Sequence, residues 1–249
     1  MVLKKSLGQH FLKDEAIVGK IVAALGKQNI SQLLEVGPGG GALTRHLLVL
    51  PDIDFKAVEL DDEKVALLPK QFPHSSGKII HKNFLHIDPP FEGHFAIIGN
   101  FPYNISTEIL FKAIDWKDQV DMVIGMFQKE VGMRVAAPAG SKIYGVISVL
   151  IQAFYDVEYL FDVPPESFNP PPKVMSGVIR LTRAATVLLV KSDRAFKVLV
   201  KTAFNQRRKM LRNAVKGLFD EATLKDEIFN KRAEQLTKED FAALSFKMI

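Results

Sequence analysis

The chain of 249 residues contains no cysteine. That absence excludes a disulfide framework and any thiolate metal site, and no metal is expected. It fits a reducing compartment, so a cytoplasmic location is expected. Long apolar runs are absent as well. A membrane span needs roughly 18 or more consecutive apolar residues. The greasiest stretch here, Gly145 to Phe154, is interrupted by Ser148 and Gln152. The start, MVLKKSLGQHFLKDE, has lysines but no apolar core behind them, so it does not read as a secretory signal. No membrane association is expected. Internal repeats and low-complexity segments are missing too.

What is present is ample core material and a mild positive excess. Hydrophobic residues make up 47%, and the length suits one large domain plus a small one. Lysine and arginine total 33 against 28 acids, a net charge of +5. Such a balance favours a polyanionic partner without proving one, and the placement of the charge decides its meaning.

The stretch that organises the chain is Ile97-Ile98-Gly99-Asn100-Phe101-Pro102-Tyr103-Asn104. An apolar lead-in from His94 to Ile98 predicts a buried strand, and Ile105 to Ile114 predicts a helix. Ligands of open α/β sheets sit at strand ends. Pro102 fixes its own φ and pushes Phe101 toward an extended conformation. The Asn100 amide and the Phe101 carbonyl then face one spot, with the Tyr103 ring beside it. Two acceptors at one point suit an exocyclic amine, and an aromatic face suits a flat base. The same residues also read as a plain strand end, with Pro102 as a turn and Tyr103 as packing.

Upstream, Asp14 to Leu25 carries apolar residues at helical spacing. The preceding Gln9-His10-Phe11-Leu12 reads as a packed arm or as a lid with Gln9 or His10 as polar contacts. Gln32 to Val36 predicts a strand, followed at once by Gly37-Pro38-Gly39-Gly40-Gly41 and a helix from Ala42 to Leu50. Glycines let a backbone approach a ligand, and a helix N-terminus offers free N–H groups. The spacing is G-x-G-x-G, which differs from the dinucleotide fingerprint. Glu35 just before the turn would repel phosphate and tolerate a cation. Phe55 to Val58 predicts a second strand ending at Glu59, 18 residues after Gly41. An acid at that register can accept both hydroxyls of a ribose. Ribose binding without a phosphate site points to S-adenosylmethionine more than NAD. After a third strand, Lys78 to His81, Asn83 either meets an adenine amino group, with Phe84 or Leu85 on the ring, or is an ordinary turn residue.

Strands continue through the one ending at Asn100, then Val120 to Phe127, Val157 to Val163 and Met175 to Leu181. Helices fall between them, including Gln128 to Ala137 and Tyr144 to Phe154. About seven strands with interleaved helices predict a doubly wound α/β sheet with an antiparallel edge. Val163 to Lys173, VPPESFNPPPK, has five prolines in eleven residues. That arch excludes regular helix or strand. It holds Phe168 either exposed, as an aromatic plate opposite Tyr103 around a flipped base, or folded inward. From about Ala185 the pattern is helical only. Lys201 to Lys216 contains Lys201, Arg207, Arg208, Lys209, Arg212 and Lys216 and no acid. Phe204, Leu211 and Val215 share one face, so a single helix can dock and still show a phosphate-contacting surface.

Taken together, KSLGQHFL, EVGPGGGALT, AVELD, IIGNFPYNIST, KIYGVISVL, FNPPPKVMS and FNQRRKMLRNAVK resemble the ribosomal RNA adenine dimethyltransferase family, in order and over nearly the whole chain. The first and last blocks resemble its housekeeping branch, which acts on small-subunit RNA. The resemblance implies a Rossmann-like class I S-adenosylmethionine-dependent methyltransferase sheet (residues 1–184) and a small helical RNA-binding domain (residues 185–249). It implies dimethylation of N6 on two adjacent adenosines near the 3′ end of small-subunit ribosomal RNA, within a pre-assembled subunit, by a monomer.

The implied cofactor-binding residues are Gln9, His10, Leu12, Gly37, Gly39, Glu59, Leu60, Asn83, Phe84 and Asn100. The implied catalytic residues are Asn100, Phe101, Tyr103 and Phe168. Three positions depart from the family's commoner pattern. Asn83 stands where Asp is usual, so an adenine contact would use its amide oxygen. Phe101 stands where Leu is commoner, with little effect expected because its carbonyl is what is read. His10 stands where Asn is also common. Competing readings are a resistance-type enzyme of large-subunit RNA, an assembly factor with secondary catalysis, and, more remotely, a DNA adenine methyltransferase.

Overall fold

Parallel strands buried on both faces read as near-continuous apolar runs, and such runs form the middle of this molecule. The computed structural model describes residues 10–26, 30–186 and 188–249. Gln9, expected at the cofactor, lies outside the described residues. Strand β1 (Phe11–Leu12) precedes helix α1 (Glu15–Ala23). Asp14 caps α1 by accepting from the Ala16 and Ile17 N–H groups, and Ile17, Val18 and Ile21 turn into the core. Then come β2 (Gln32–Val36), α2 (Thr44–Leu47), β3 (Asp54–Glu59), α3 (Asp62–Gln71), β4 (Ile79–His81) and β5 (Phe95–Asn100). They are followed by α4 (Ser106–Asp115), β6 (Val120–Gln128), α5 (Lys129–Val135) and α6 (Val146–Gln152). β7 (Tyr155–Val163), β8 (Phe168–Asn169) and β9 (Ser176–Arg183) complete the strands, and α7 (Asp193–Asn205), α8 (Leu211–Ala214) and α9 (Lys238–Phe246) close the chain.

Seven strands form one sheet in the order β4-β3-β2-β5-β6-β9-β7. The neighbours from β4 to β6 are parallel, and β9 runs antiparallel to β6. This is the expected α/β sheet with an antiparallel element toward one edge. After β2 the chain first builds outward through β3 and β4, then returns to place β5 on the other side. The switch point therefore lies between the ends of β2 and β5, where open sheets hold their ligands. The helix predicted over residues 42–50 contracts to α2. Gly41 N–H closes a turn on the Pro38 carbonyl at 2.8 Å, and Pro51 follows the last turn.

Two compact units are resolved. One comprises the chain up to Gly132 together with Glu158–Arg183, the other Met133–Val157 together with Ala184–Ile249. Sequence order had placed residues 133–157 with the sheet. Their side chains explain why they join the C-terminal helices: the Tyr144 ring meets Phe204 at 6.0 Å between centroids, and Phe204 meets Phe241 at 5.9 Å.

In the second unit, the single helix expected from Lys201 to Lys216 is broken. α7 ends at Asn205, a turn follows, and α8 resumes at Leu211. Arg207 sits in the turn and faces inward. Its Nε donates to Glu234 at 2.6 Å, and its Nη2 donates to the carbonyls of Lys142 and Ser141 at 2.5 and 3.5 Å. Leu211 N–H is taken by the Lys231 carbonyl at 2.8 Å, which fixes where α8 begins.

Candidate active site

Where β2 and β5 end side by side, a cavity of about 370 Å³ opens in the first unit. That lies in the range of pockets that enclose a drug-sized ligand. The cavity brings together His10, Leu12, Gly37, Gly39, Glu59, Leu60, Asn83, Asn100, Phe101 and Tyr103. These come from β1, from the turns after β2 and β3, from the turn after β4, and from the end of β5. Phe11, Glu35 and Gln71 also line it. Sequence reading did not single out Gln71, at the end of α3, because an isolated glutamine closing a helix carries no spacing signal.

The glycine turn has a physical cause. Gly37 adopts φ +71° directly after β2, a conformation L side chains rarely take, and its N–H is held by the Val58 carbonyl at 2.9 Å. Glu59 ends β3 with its carboxylate fully oriented. One oxygen accepts from Gly39 N–H at 3.0 Å, and the other accepts from Leu60 and Asp61 N–H at 2.8 and 2.9 Å. A carboxylate offers about four acceptor sites, so the remaining capacity points to a hydroxyl-bearing ligand.

Glu35 lies within β2, 1% exposed. Thr44 Oγ1 donates to it at 2.7 Å. Burial pushes its carboxyl up from the ordinary 4.5 to about 8, with the Thr44 hydrogen bond opposing and the Glu59 charge adding to the rise. The Glu59 carboxylate, with no lysine or arginine among the lining residues, makes the cavity fit a cationic, ribose-bearing ligand.

At the end of β5, Phe101 is 1% exposed and meets Phe127 edge-to-face at 5.3 Å. Glycines at positions 99 and 125 leave its ring the room it occupies. Asn100 Nδ2 donates to the His10 carbonyl at 2.9 Å. The His10 and Tyr103 rings stack at 5.7 Å with 29° between planes. The Tyr103 hydroxyl shares a hydrogen bond with Ser176 Oγ at 2.5 Å. Burial raises the Tyr103 pKa above its ordinary value, against the Ser176 bond, so the ring stays a neutral phenol.

Several expectations are corrected. Phe168 does not stand exposed on the proline-rich arch. Its ring is 1% exposed in the apolar core with Ile17, Val18 and Val163, because β8 pairs antiparallel with β1, Leu12 opposite Phe168. The arch also contains this short strand, which its prolines had seemed to exclude. Phe84 is 4% exposed and edge-to-face on Trp116 at 5.4 Å, and it does not line the cavity. Asn83 lines the cavity, and its side-chain oxygen accepts from Leu85 N–H at 3.0 Å, the bond of a turn asparagine.

Of the basic cluster in the second unit, Arg207 is committed to Glu234 and Arg212 to Asn230. Lys201, Arg208, Lys209 and Lys216 are exposed, with no side-chain partner among the described residues.

A profile of the family described as "Ribosomal RNA adenine dimethylase" matches residues 2–248. The chain is 50% identical over 246 residues to a ribosomal RNA small subunit methyltransferase A from Cytophaga hutchinsonii, covering 97% of this chain and 95% of that protein. Its fold is similar to the crystal structure of a dimethyladenosine transferase from Plasmodium falciparum, with a TM-score of 0.80 at 23% identity over 96% of this chain and 99% of that one. It is also similar to the 23S rRNA methyltransferase ErmE, with a TM-score of 0.73 at 22% identity over 96% of this chain and 99% of that one. At those identities the two structures speak for the fold alone.

Proposed function

The chain belongs to the ribosomal RNA adenine dimethylase family, and from that premise we propose that it dimethylates N6 of two adjacent adenosines near the 3′ end of small-subunit ribosomal RNA. The observation that carries this reading is the meeting of Asn100, Phe101 and Tyr103 with Glu59 and the glycine turn around one cavity. S-adenosyl-L-methionine supplies an electrophilic methyl group on a sulfonium centre.

The chain's own residues bind, orient and exclude water. Glu59 accepts from a ribose hydroxyl through its one remaining acceptor site, and its charge suits the positive sulfonium. Asn83, which lines the cavity, meets the amino group of the cofactor adenine through the second lone pair of its amide oxygen. The target amine is a weak nucleophile because its lone pair is delocalised into the ring. Its N–H groups donate to Asn100 Oδ1 and the Phe101 carbonyl, which favours a pyramidal nitrogen and stabilises the positive charge that develops there. Holding the amine in line matters more than a strong base, because its proton becomes acidic only as the new C–N bond forms. Tyr103 stacks on the base. Phe168, buried in the core, has no part in this.

Lys201, Arg208, Lys209 and Lys216 hold phosphates. The protein acts as a monomer in the cytoplasm on a partly assembled small subunit, so that methylation accompanies subunit maturation. A large-subunit specificity is disfavoured, since the half-identical relative is a small-subunit enzyme by name. Offering both subunits with labelled cofactor tests the reading: label on small-subunit RNA, lost in Asn100→Ala with thermal melting kept, is expected. Label on large-subunit RNA, or near-normal turnover in Asn100→Ala, would overturn it.

A further inference from the structure

The contacts between the His10 segment and the end of β5 have a fixed chemistry. A backbone carbonyl only accepts hydrogen bonds. Asn100 must therefore give its NH2 group to the His10 carbonyl, 2.9 Å away. Its side-chain oxygen is then the half of the amide left for another partner. The same rule settles the imidazole. His10 Nδ1 lies 2.9 Å from the Pro170 carbonyl, so Nδ1 carries a proton and donates it. The ring's face is covered by Tyr103 at 5.7 Å. Next in the chain, Phe11 and Leu12 pair with Asn169 and Phe168. The His10 carbonyl is thus held from three sides: by its own ring on Pro170, by that ring on Tyr103, and by the β1–β8 ladder. Asn100 and Tyr103 line one cavity with His10, and all of these residues belong to the first unit.

We propose that His10 is a positioning residue for methyl transfer: its anchored carbonyl captures the Asn100 NH2 and so holds the amide oxygen toward the target amine. This rests on the role given to Asn100 above. Without that capture the amide can turn about its terminal torsion, which is broad and nearly two-fold. It would then offer NH2 donors to an amine that needs acceptors. The imidazole is not required for any proton step. It serves as a peg, and another side chain that can donate to the Pro170 carbonyl should replace it.

The test uses the full-length chain with S-adenosyl-L-methionine and unmethylated small subunits, both saturating, and compares His10→Ala, His10→Asn and Asn100→Ala. Cofactor Kd comes from calorimetry and fold integrity from thermal melting. His10→Ala should lower kcat by about 10- to 100-fold, the size of effect expected from a slightly misplaced catalytic group. Its cofactor Kd should change by a smaller factor than its kcat. His10→Asn, whose amide can donate to Pro170, should recover most of the rate. An unchanged kcat in His10→Ala, a loss confined to cofactor Kd, or no recovery in His10→Asn would overturn the proposal. Normal turnover in Asn100→Ala would overturn the underlying reading of the site as well. An inactive Asn100→Ala beside a fully active His10→Ala would overturn only the positioning role.

Discussion

Gly125 and Phe101 share one space: a methyl group on Gly125 would lie 2.3 Å from Phe101 Cε2. Gly99, paired with Gly125 across β5 and β6, is nearly as close, with its Cβ position 2.5 Å from Cε1 of the same ring. The ring belongs to the residue whose carbonyl is proposed to take the target amine. Gly125→Ala should therefore push the ring and its carbonyl together, lowering turnover by about 100-fold and stability by about 1–3 kcal/mol. Adding Phe101→Leu should recover part of both losses, because the smaller side chain gives way. Turnover and urea melts of the two variants check this. A fully active Gly125→Ala would show that the Phe101 carbonyl tolerates displacement.

Glu35 predicts a pH dependence of stability. Its carboxyl is raised in the folded protein from 4.5 to about 8. Between those values the unfolded chain has released the proton that the folded chain keeps. Stability must then fall as pH rises from about 4.5 to about 8 and level off above. Glu35→Gln, which cannot ionise, should flatten that slope. Melting temperatures of both proteins across this interval decide it. Parallel curves would mean that Glu35 is ionised throughout.

The end of β5, the glycine turn and Glu59 were legible in the sequence because each is local: a strand, then a residue type at a fixed offset. The order of strands followed from the same alternation. The ring slot of Phe101 was not legible, since it depends on Gly125 in a neighbouring strand, and the Phe had seemed neutral because only its carbonyl was considered. Phe168 was misjudged for a related reason. The prolines around it signalled stiffness, whereas its burial comes from pairing with Leu12, more than 150 residues away. The basic run looked uniform in sequence, and only the fold separates Arg207, turned to Glu234, from its exposed neighbours.

That separation predicts two kinds of arginine and lysine variant. Arg207→Ala should lower stability by about 1 kcal/mol, allowing for its partial exposure. Lys209→Ala, Arg208→Ala and Lys216→Ala should leave melting unchanged. They should instead weaken RNA binding and each reduce the salt dependence by about one phosphate contact. Melting curves and binding titrations at several salt concentrations separate the classes. A steep stability loss in Lys209→Ala would contradict the assignment.

Phe168→Ala should act through folding. Removing a ring that is 1% exposed typically costs about 3–5 kcal/mol, and the loss should appear in urea melts without substrate present. A variant that melts normally but fails to turn over RNA would return Phe168 to the site.

Quantifying N6,N6-dimethyladenosine by nucleoside mass spectrometry tests the proposed activity itself. The chain is incubated with S-adenosyl-L-methionine and small subunits from cells lacking the modification. The product should appear at two adjacent adenosines near the 3′ end, and Asn100→Ala should give none. No product despite bound cofactor, or product only on large-subunit RNA, would contradict it.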